Sequence, residues 1–449
     1  MHIKKDSQRK LVLMENNNLN TNIPKEVVEN KKSTIFKSKS FKITFVVLLV
    51  LLIGIGYWLF KNINLIDSYS DKVYPGAYIL NKDLSGLNSD DLHNTLISLV
   101  NDISNKEVSV TANNQKFNIS YKDLEANINY TELEEKILSF GKNEGFLNKI
   151  NLIKKPTNRE YEFEVLFNEE NLNNFISNIS NAVDVAPIDA SINIAGGISI
   201  TNDTTGLKLN SSQLLDTIKN QIKDMKAPNT VEVVGNVDVV EANIKASALA
   251  TVNNKISSFT THYSAGPSGT NLQIAARNID NSIVMPGETF STEKAIGPTT
   301  LENGFVEANT YVGGEVVPGV GGGVCQVAST LYNTMLRAGI IPTERLNHMM
   351  KVSYVPIGLD ATLADNLIDL KFVNDFYFPI VVNSYASNGS LTIEFWSNDS
   401  VEDGIRYEPV SVPLGPLSAD TYLYGYNSNG ELVINKYLDR STYQPLPNN

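Results

Sequence analysis

Apolar positions change their pattern along this 449-residue chain. The first 40 residues, rich in Asn and Lys, show no apolar period and are expected to be disordered. Residues 43–60 are then eighteen consecutive uncharged positions, long enough to cross a bilayer, with Tyr57 and Trp58 placed for the far interface. Farther on, Leu92, Leu96 and Leu99, and again Leu172, Ile176 and Ile179, recur at the spacing of an amphipathic helix. Each of these helices precedes an alternating stretch that turns at Asn113-Asn114 or Gly196-Gly197, the signature of a hairpin. A second helix follows, with its cap expected near Thr131 or Ser211. The two copies align at an offset of 81: Phe117 with Ile198, Ile119 with Ile200, Asn129 with Asn210, Leu133 with Leu214 and Ile137 with Ile218. Two tandem α+β modules, 73–152 and 153–245, are therefore expected.

Beyond residue 246 glycine and proline become more frequent and charges fewer. Pro286-Gly287 marks a turn, and 311–316 reads as a tight hairpin leading into a glycine run. Residues 326–339 have Val327, Leu331, Met335 and Ala338 at helical spacing, Gly339 suited to a C-terminal cap, and Pro342 just beyond. Strands are expected at 351–355, 369–373, 379–385 and 390–396, and a hairpin joins 421–426 to 431–437 through 427–430. The predicted architecture is multidomain α+β: a basic tail (1–42), one transmembrane helix (43–60), the two modules, a β-rich domain around one main helix (246–400), and a C-terminal β-hairpin extension (401–449).

Charge narrows the partners. Residues 1–42 hold ten Lys or Arg against four Asp or Glu, and subtracting this +6 from the chain total of −12 leaves −18 for the remainder. The basic flank is expected on the cytosolic side, with the bulk of the chain extracellular. No small-x-small site follows the apolar run, which favours an uncleaved single-pass anchor over a signal peptide. An acidic exterior argues against nucleic acid as a partner, although such charge also serves plain solubility.

The chemistry centres on Cys325, the only cysteine, which lies in the run Gly-Val-Gly-Gly-Gly-Val-Cys-Gln. A lone cysteine outside the cell has no intrachain disulfide partner, so it is either a buried filler or a reactive thiol. Its place at a helix N-terminus favours thiolate. Of four histidines, His348 in the loop after that helix is the preferred base over His262, on the expectation that a following strand carries it back to the helix start. A thiolate–imidazolium pair performs acyl transfer, with backbone amides of Gly322, Gly323, Val324 and Cys325 as oxyanion donors. Asp360, Asp365 and Asp369 can each hold the histidine, with Asp360 preferred. Arg277, Arg345 and Tyr354 are candidate substrate contacts, and either arginine could equally serve a structural ion pair. Scattered histidines and one cysteine do not form a metal site, and no cofactor is expected. Ser291-Thr292-Glu293-Lys294 matches an S-x-x-K pattern, but no K-T-G element follows it.

Several motifs in order resemble the VanW domain family: PGETFS (286–291), Gly297, Gly304-Phe305, Ala308, PGVGGGVCQVASTLYN (318–333), ERLNH (344–348), YVPIGLDAT (354–362) and DLKFVN (369–374). The upstream modules, with YPGAYILNKDLSGL (74–87), resemble the peptidoglycan-binding domain that often precedes VanW domains in Gram-positive membrane-anchored proteins. The resemblance implies cell-wall work, and family members have been identified as L,D-transpeptidases that form 3-3 crosslinks through a cysteine thioester. It places the nucleophile on Cys325 and the motif histidine on His348, with peptidoglycan stem peptides and glycan as partners. STLYN, where the family often has a second Thr, and NHMM, where it often has His-Ser, depart from the pattern. A non-catalytic wall-binding scaffold is the alternative, and whether an amine or water would accept the acyl group stays open.

Overall fold

The computed structural model describes residues 39–312 and 315–445, so the expected basic tail lies outside the described residues up to position 38. Contacts divide the chain into two units, one formed by residues up to 101 with 128–163, the other by 102–127 with 164–449. The fold is multidomain α+β.

In the first unit the apolar run lies within a helix longer than the expected span, Lys39–Asp67, with none of its most apolar window buried. It is the one helix among the described residues that is long and apolar enough to cross a membrane. A small core of Leu84, Leu92, Leu96, Leu133 and Ile137 joins helices Ser89–Ser104 and Tyr130–Leu138 to a three-stranded sheet. In the second unit, helices Glu169–Val183 and Ser211–Ile222 repeat this helical pattern. Both helices after the hairpins are capped one or two residues before Thr131 and Ser211. Asn129 and Asn210, equivalent in the repeat, accept hydrogen bonds from the amides of Glu132 and Gln213, because a short Asx side chain reaches N3 directly. The first hairpin turns through Asn113 and Asn114 at φ 46° and 60°, a left-handed pair that asparagine tolerates. Its strand Glu107–Ala112 pairs in parallel with Thr230–Gly235, the strand after the second repeat's helix. That pairing places the first hairpin in the second unit.

The rest of the second unit is built around helix Cys325–Arg337, of which all of 326–336 is buried. Val327, Leu331, Met335 and Leu336 pack into one core with Leu272 and Ile279 of helix Pro267–Ile279 and with Leu391, Ile393 and Phe395. A four-stranded antiparallel sheet, ordered Asn254–His262, Ser390–Ser397, Ile380–Ser387, Ser282–Val284, backs this core. Strands Glu307–Val312 and Glu315–Val320 pair and deliver the chain to the glycine run.

Two expectations are corrected. Residues 351–355 form no strand: the segment runs irregularly toward Gly358 with only an isolated bridge from Met350 to Gln444. Residues 401–445 add a third strand to the expected hairpin, giving a sheet of Arg406–Gly415, Ser418–Tyr426 and Leu432–Thr442. Leu423 from this sheet is 2 % exposed within the main core, so the segment completes the domain.

Candidate active site

The glycine run is held where side chains would not fit. A Cβ on Gly322 would meet the Asn309 carbonyl oxygen at 2.3 Å, and one on Gly323, at φ 103°, would meet that of Ser268 at 2.4 Å. Asn271 of helix Pro267–Ile279, fully buried, donates to the carbonyls of Gly322 (3.0 Å) and Val306 (2.9 Å) and accepts from the Val306 amide. The chain is thereby fixed just before it enters the helix whose first residue is Cys325.

That helix carries a polar face that would be costly to bury without partners. Ser329 donates to the Ala361 carbonyl and accepts from the Ala361 amide, while Asn333, one turn on, donates to the Leu359 carbonyl. The two side chains grip the backbone on either side of Asp360. Gln326 and Thr330 do the same for strand Asn254–His262 through Thr261 and the His262 carbonyl.

Around the sulfur, the returning loop supplies the Leu363 amide at 3.4 Å and the Thr362 hydroxyl at 3.7 Å. His348, 7 % exposed, is the imidazole near enough to act on the Cys325 thiol, lowering it. Its Nδ1 and its own backbone amide both donate to Asp360 Oδ2 at 2.7 Å, leaving Nε2 for the sulfur. Asp360 is fully buried. Its Oδ1 accepts from the Tyr443 hydroxyl at 2.5 Å, and that hydroxyl accepts from the Gly358 amide at 2.6 Å. The arrangement is a relay: Tyr443, Asp360, His348, Cys325.

The electrostatics follow from these contacts. Burial of the Cys325 sulfur works to raise its pKa, but the His348 hydrogen bond and charge, with the Leu363 amide and Thr362 hydroxyl, outweigh it and the thiol is lowered. Burial works to lower His348, yet Asp360 and Cys325 raise it to about 9. Asp360 is held below its usual range by His348 and Tyr443 despite burial. Both shifts favour the thiolate–imidazolium form of the pair.

Other expected residues fall elsewhere. His262 bonds Ser390 Oγ at 3.2 Å. Asp365 accepts from Thr299, and Asp369 from Ser291 and the Glu293 amide, where it anchors the start of the short helix Thr292–Ile296. Ser291, of the S-x-x-K match, caps that helix through the Lys294 amide.

Three further expectations are revised. Arg345 is corrected from a substrate contact to a buried support: its side chain is 4 % exposed, and it donates to the carbonyls of Asp360 (2.8 Å) and Gly358 (3.1 Å) and to Asp439 (2.6 Å). Arg277 is exposed near the far end of its helix, about 13 Å along the axis from Ser268, so it does not join the site. The Val324 amide is committed to the Gly321 carbonyl at 3.2 Å, which leaves Gly322, Gly323 and Cys325 as oxyanion candidates. Tyr354 is half-buried between His348 and Asp360 in sequence. Residues 362, 363 and 443 carried no local signal of a role, although Thr362 closes the YVPIGLDAT motif. A cleft of about 230 Å³ adjoins the site, lined by residues 263–269 at the start of helix Pro267–Ile279, with Gly323 and Gln326. Among the described residues no cluster of three or more His, Cys, Asp or Glu is arranged to hold a metal ion.

Comparison with known proteins places this geometry. Over 139 residues the chain is 40 % identical to the "Uncharacterized protein YoaR" of Bacillus subtilis (strain 168), a match covering 31 % of this chain and 46 % of that protein. Over 110 residues it is 30 % identical to the "Vancomycin B-type resistance protein VanW" of Enterococcus faecalis (strain ATCC 700802 / V583), covering 23 % of this chain and 40 % of the relative. The chain thus spans less than half the length of the curated relatives it matches. No solved structure matches it. The family described as "VanW like protein" matches residues 268–396, which contain Cys325, His348 and Asp360, and the family described as "Putative peptidoglycan binding domain" matches 117–230. This chain carries a VanW-like domain preceded by a domain of that peptidoglycan-binding family.

Proposed function

We propose that the protein is a cell-wall enzyme anchored by its N-terminal helix, a cysteine acyltransferase that crosslinks peptidoglycan as an L,D-transpeptidase. The observation that carries this reading is the buried Tyr443–Asp360–His348 network beside Cys325, a half-buried residue at a helix N-terminus. The peptidoglycan-binding match supports the wall as its place of action. The basic flank of the apolar helix supports an orientation with the folded units outside the cell.

In this reading the Cys325 thiolate attacks a carbonyl of a donor stem peptide, and the amides of Gly322, Gly323 and Cys325 receive the negative charge that forms on oxygen. His348 passes its proton to the departing amine as the tetrahedral adduct collapses to a thioester. An acceptor amine then attacks the thioester, His348 takes its proton, and the thiolate leaves. Asp360 keeps the imidazole oriented and its positive charge compensated. The 263–269 cleft beside Gly323 is a natural berth for the donor chain.

The test uses the full chain in detergent micelles with disaccharide-tetrapeptide substrates, read by mass spectrometry. Wild type should yield 3-3 linked dimers and a transient thioester on Cys325, and Cys325→Ala should yield neither. Crosslinking retained by Cys325→Ala would refute the nucleophile. A wild type that binds muropeptides without turnover would favour the scaffold reading instead.

A further inference from the structure

We infer that helix Phe146–Lys154 of the first unit rests on the outer surface of the bilayer and contacts anionic lipid headgroups. The inference rests on the reading of 43–60 as the membrane span, and its core is a depth constraint. Phe146 packs edge-to-face on Trp58, with ring centroids 6.2 Å apart. Trp58 lies two residues, or about 3 Å of helix rise, inside the end of the apolar run, the level at which tryptophan marks the membrane interface. A side chain touching Trp58 must sit at that depth.

The contact is fixed by more than one pair of rings. The anchor helix continues unbroken from the apolar run to Asp67. On that continuation Asn62 is 1 % exposed, donates to the Trp58 carbonyl, and accepts from Lys154 Nζ at 2.6 Å. Phe146–Lys154 is therefore clamped to the anchor at both its ends, and Ile150 and Ile153 are buried inside the unit.

What remains outward suits a lipid surface. Leu147 is 64 % exposed and Ile63 53 %, which is unfavourable in water and favourable at the acyl boundary. Lys149 and Lys155 lie on or beside the same helix. A cleft of about 370 Å³ opens between the two helices, lined by Ile63, Ile66 and Phe146 on its apolar side and by Lys149 and Asp67 on its charged side, while Lys142 in the same wall is held by the Tyr69 and Lys72 carbonyls. Lysines over a phosphate layer with leucine and phenylalanine below it match the layering of a leaflet with anionic headgroups. The acidic groups near it, Asp67 and Glu144, sit on the anchor's last turn and before the helix.

The experiment places a single probe on the full chain in vesicles. In a Cys325→Ser background, Leu147→Cys carries an environment-sensitive fluorophore, and Tyr377→Cys, at a residue 94 % exposed in the other unit, is the control. In phosphatidylglycerol vesicles the 147 probe should shift to the blue and be quenched by lipids bearing nitroxide near the headgroup, while the 377 probe stays quenchable by aqueous iodide. Lys149→Glu with Lys155→Glu should weaken the blue shift in phosphatidylglycerol and leave it unchanged in phosphatidylcholine. A 147 probe fully open to iodide in a chain that resists carbonate extraction would overturn the inference while leaving the anchor intact. Extraction of the chain by carbonate would overturn both.

Discussion

Cys325 is subject to opposed influences, burial against thiolate and His348, Leu363 and Thr362 for it, and the second group prevails. Alkylation by iodoacetamide should therefore already be fast well below the value of about 8.5 that governs a free thiol. His348→Ala should move that midpoint upward, and an unmoved midpoint would show that the imidazole does not set it. The proposed acyl transfer should decline above about pH 9, where His348 loses its proton. Tyr443→Phe leaves Asp360 Oδ1 and the Gly358 amide each short of a partner, at about 1–3 kcal/mol of stability. If Tyr443 also positions the relay, the basic limb of the pH–rate profile shifts to lower pH, whereas a purely structural role lowers Tm alone. At this scale the sequence disclosed the sulfur and the imidazole, because glycines before a helix start are a local signal. It favoured Asp360 only weakly over Asp365 and Asp369, three carboxylates within ten residues, and Tyr443 stands 83 positions from its partner.

Among the elements, helix Cys325–Arg337 does two jobs, with an apolar face in the core and a polar face that fixes the Asp360 backbone. Asn333→Leu preserves size but abandons the Leu359 carbonyl. It should lower the acylation rate more than Ser329→Ala does, since the smaller change leaves room for water, and equal losses in single-turnover assays would contradict this. Gly323→Ala meets both the Ser268 carbonyl and a positive φ, and should cost about 1–3 kcal/mol, measurable as a fall in Tm. The helix itself was legible through its 3.6-residue period and Gly339, which takes φ 77° just past its end. Strand Arg406–Gly415 was not, because Pro409 and Pro413 argue against a strand. Its edge position explains how both are accommodated. Strand Asn254–His262 was obscured by serine and threonine, whose hydroxyls face the polar side of the Cys325 helix at Thr261. Residues 351–355 alternate like a strand but have no neighbouring strand to pair with along their length.

For the whole molecule, proton counting gives a pH profile. Cys325 is depressed on folding, so its share of stability is lost as pH falls, and His348 is raised, so its share is lost as pH rises through about 9. Between those two limits the charged pair is favoured and stability changes least. Toward acid the share contributed by Cys325 is lost as its native thiolate is protonated, and Asp360 adds to the decline in the carboxylate range. Hydrogen-exchange protection of the Cys325 helix, corrected for intrinsic rates, should follow this curve, and Cys325→Ala should make its acid decline shallower. A chain truncated after residue 400 should lose the near-UV signature of a packed domain, since Leu423 leaves the core and Tyr443 leaves Asp360. Retention of that signature would show 268–396 to be self-sufficient. Because strand Leu432–Thr442 and Tyr443 follow every other residue of the relay in sequence, a ribosome must release them last among these parts. With the folded units exported as proposed, the sulfur would lack the full set of groups that orient its imidazole until Tyr443 had also crossed the membrane.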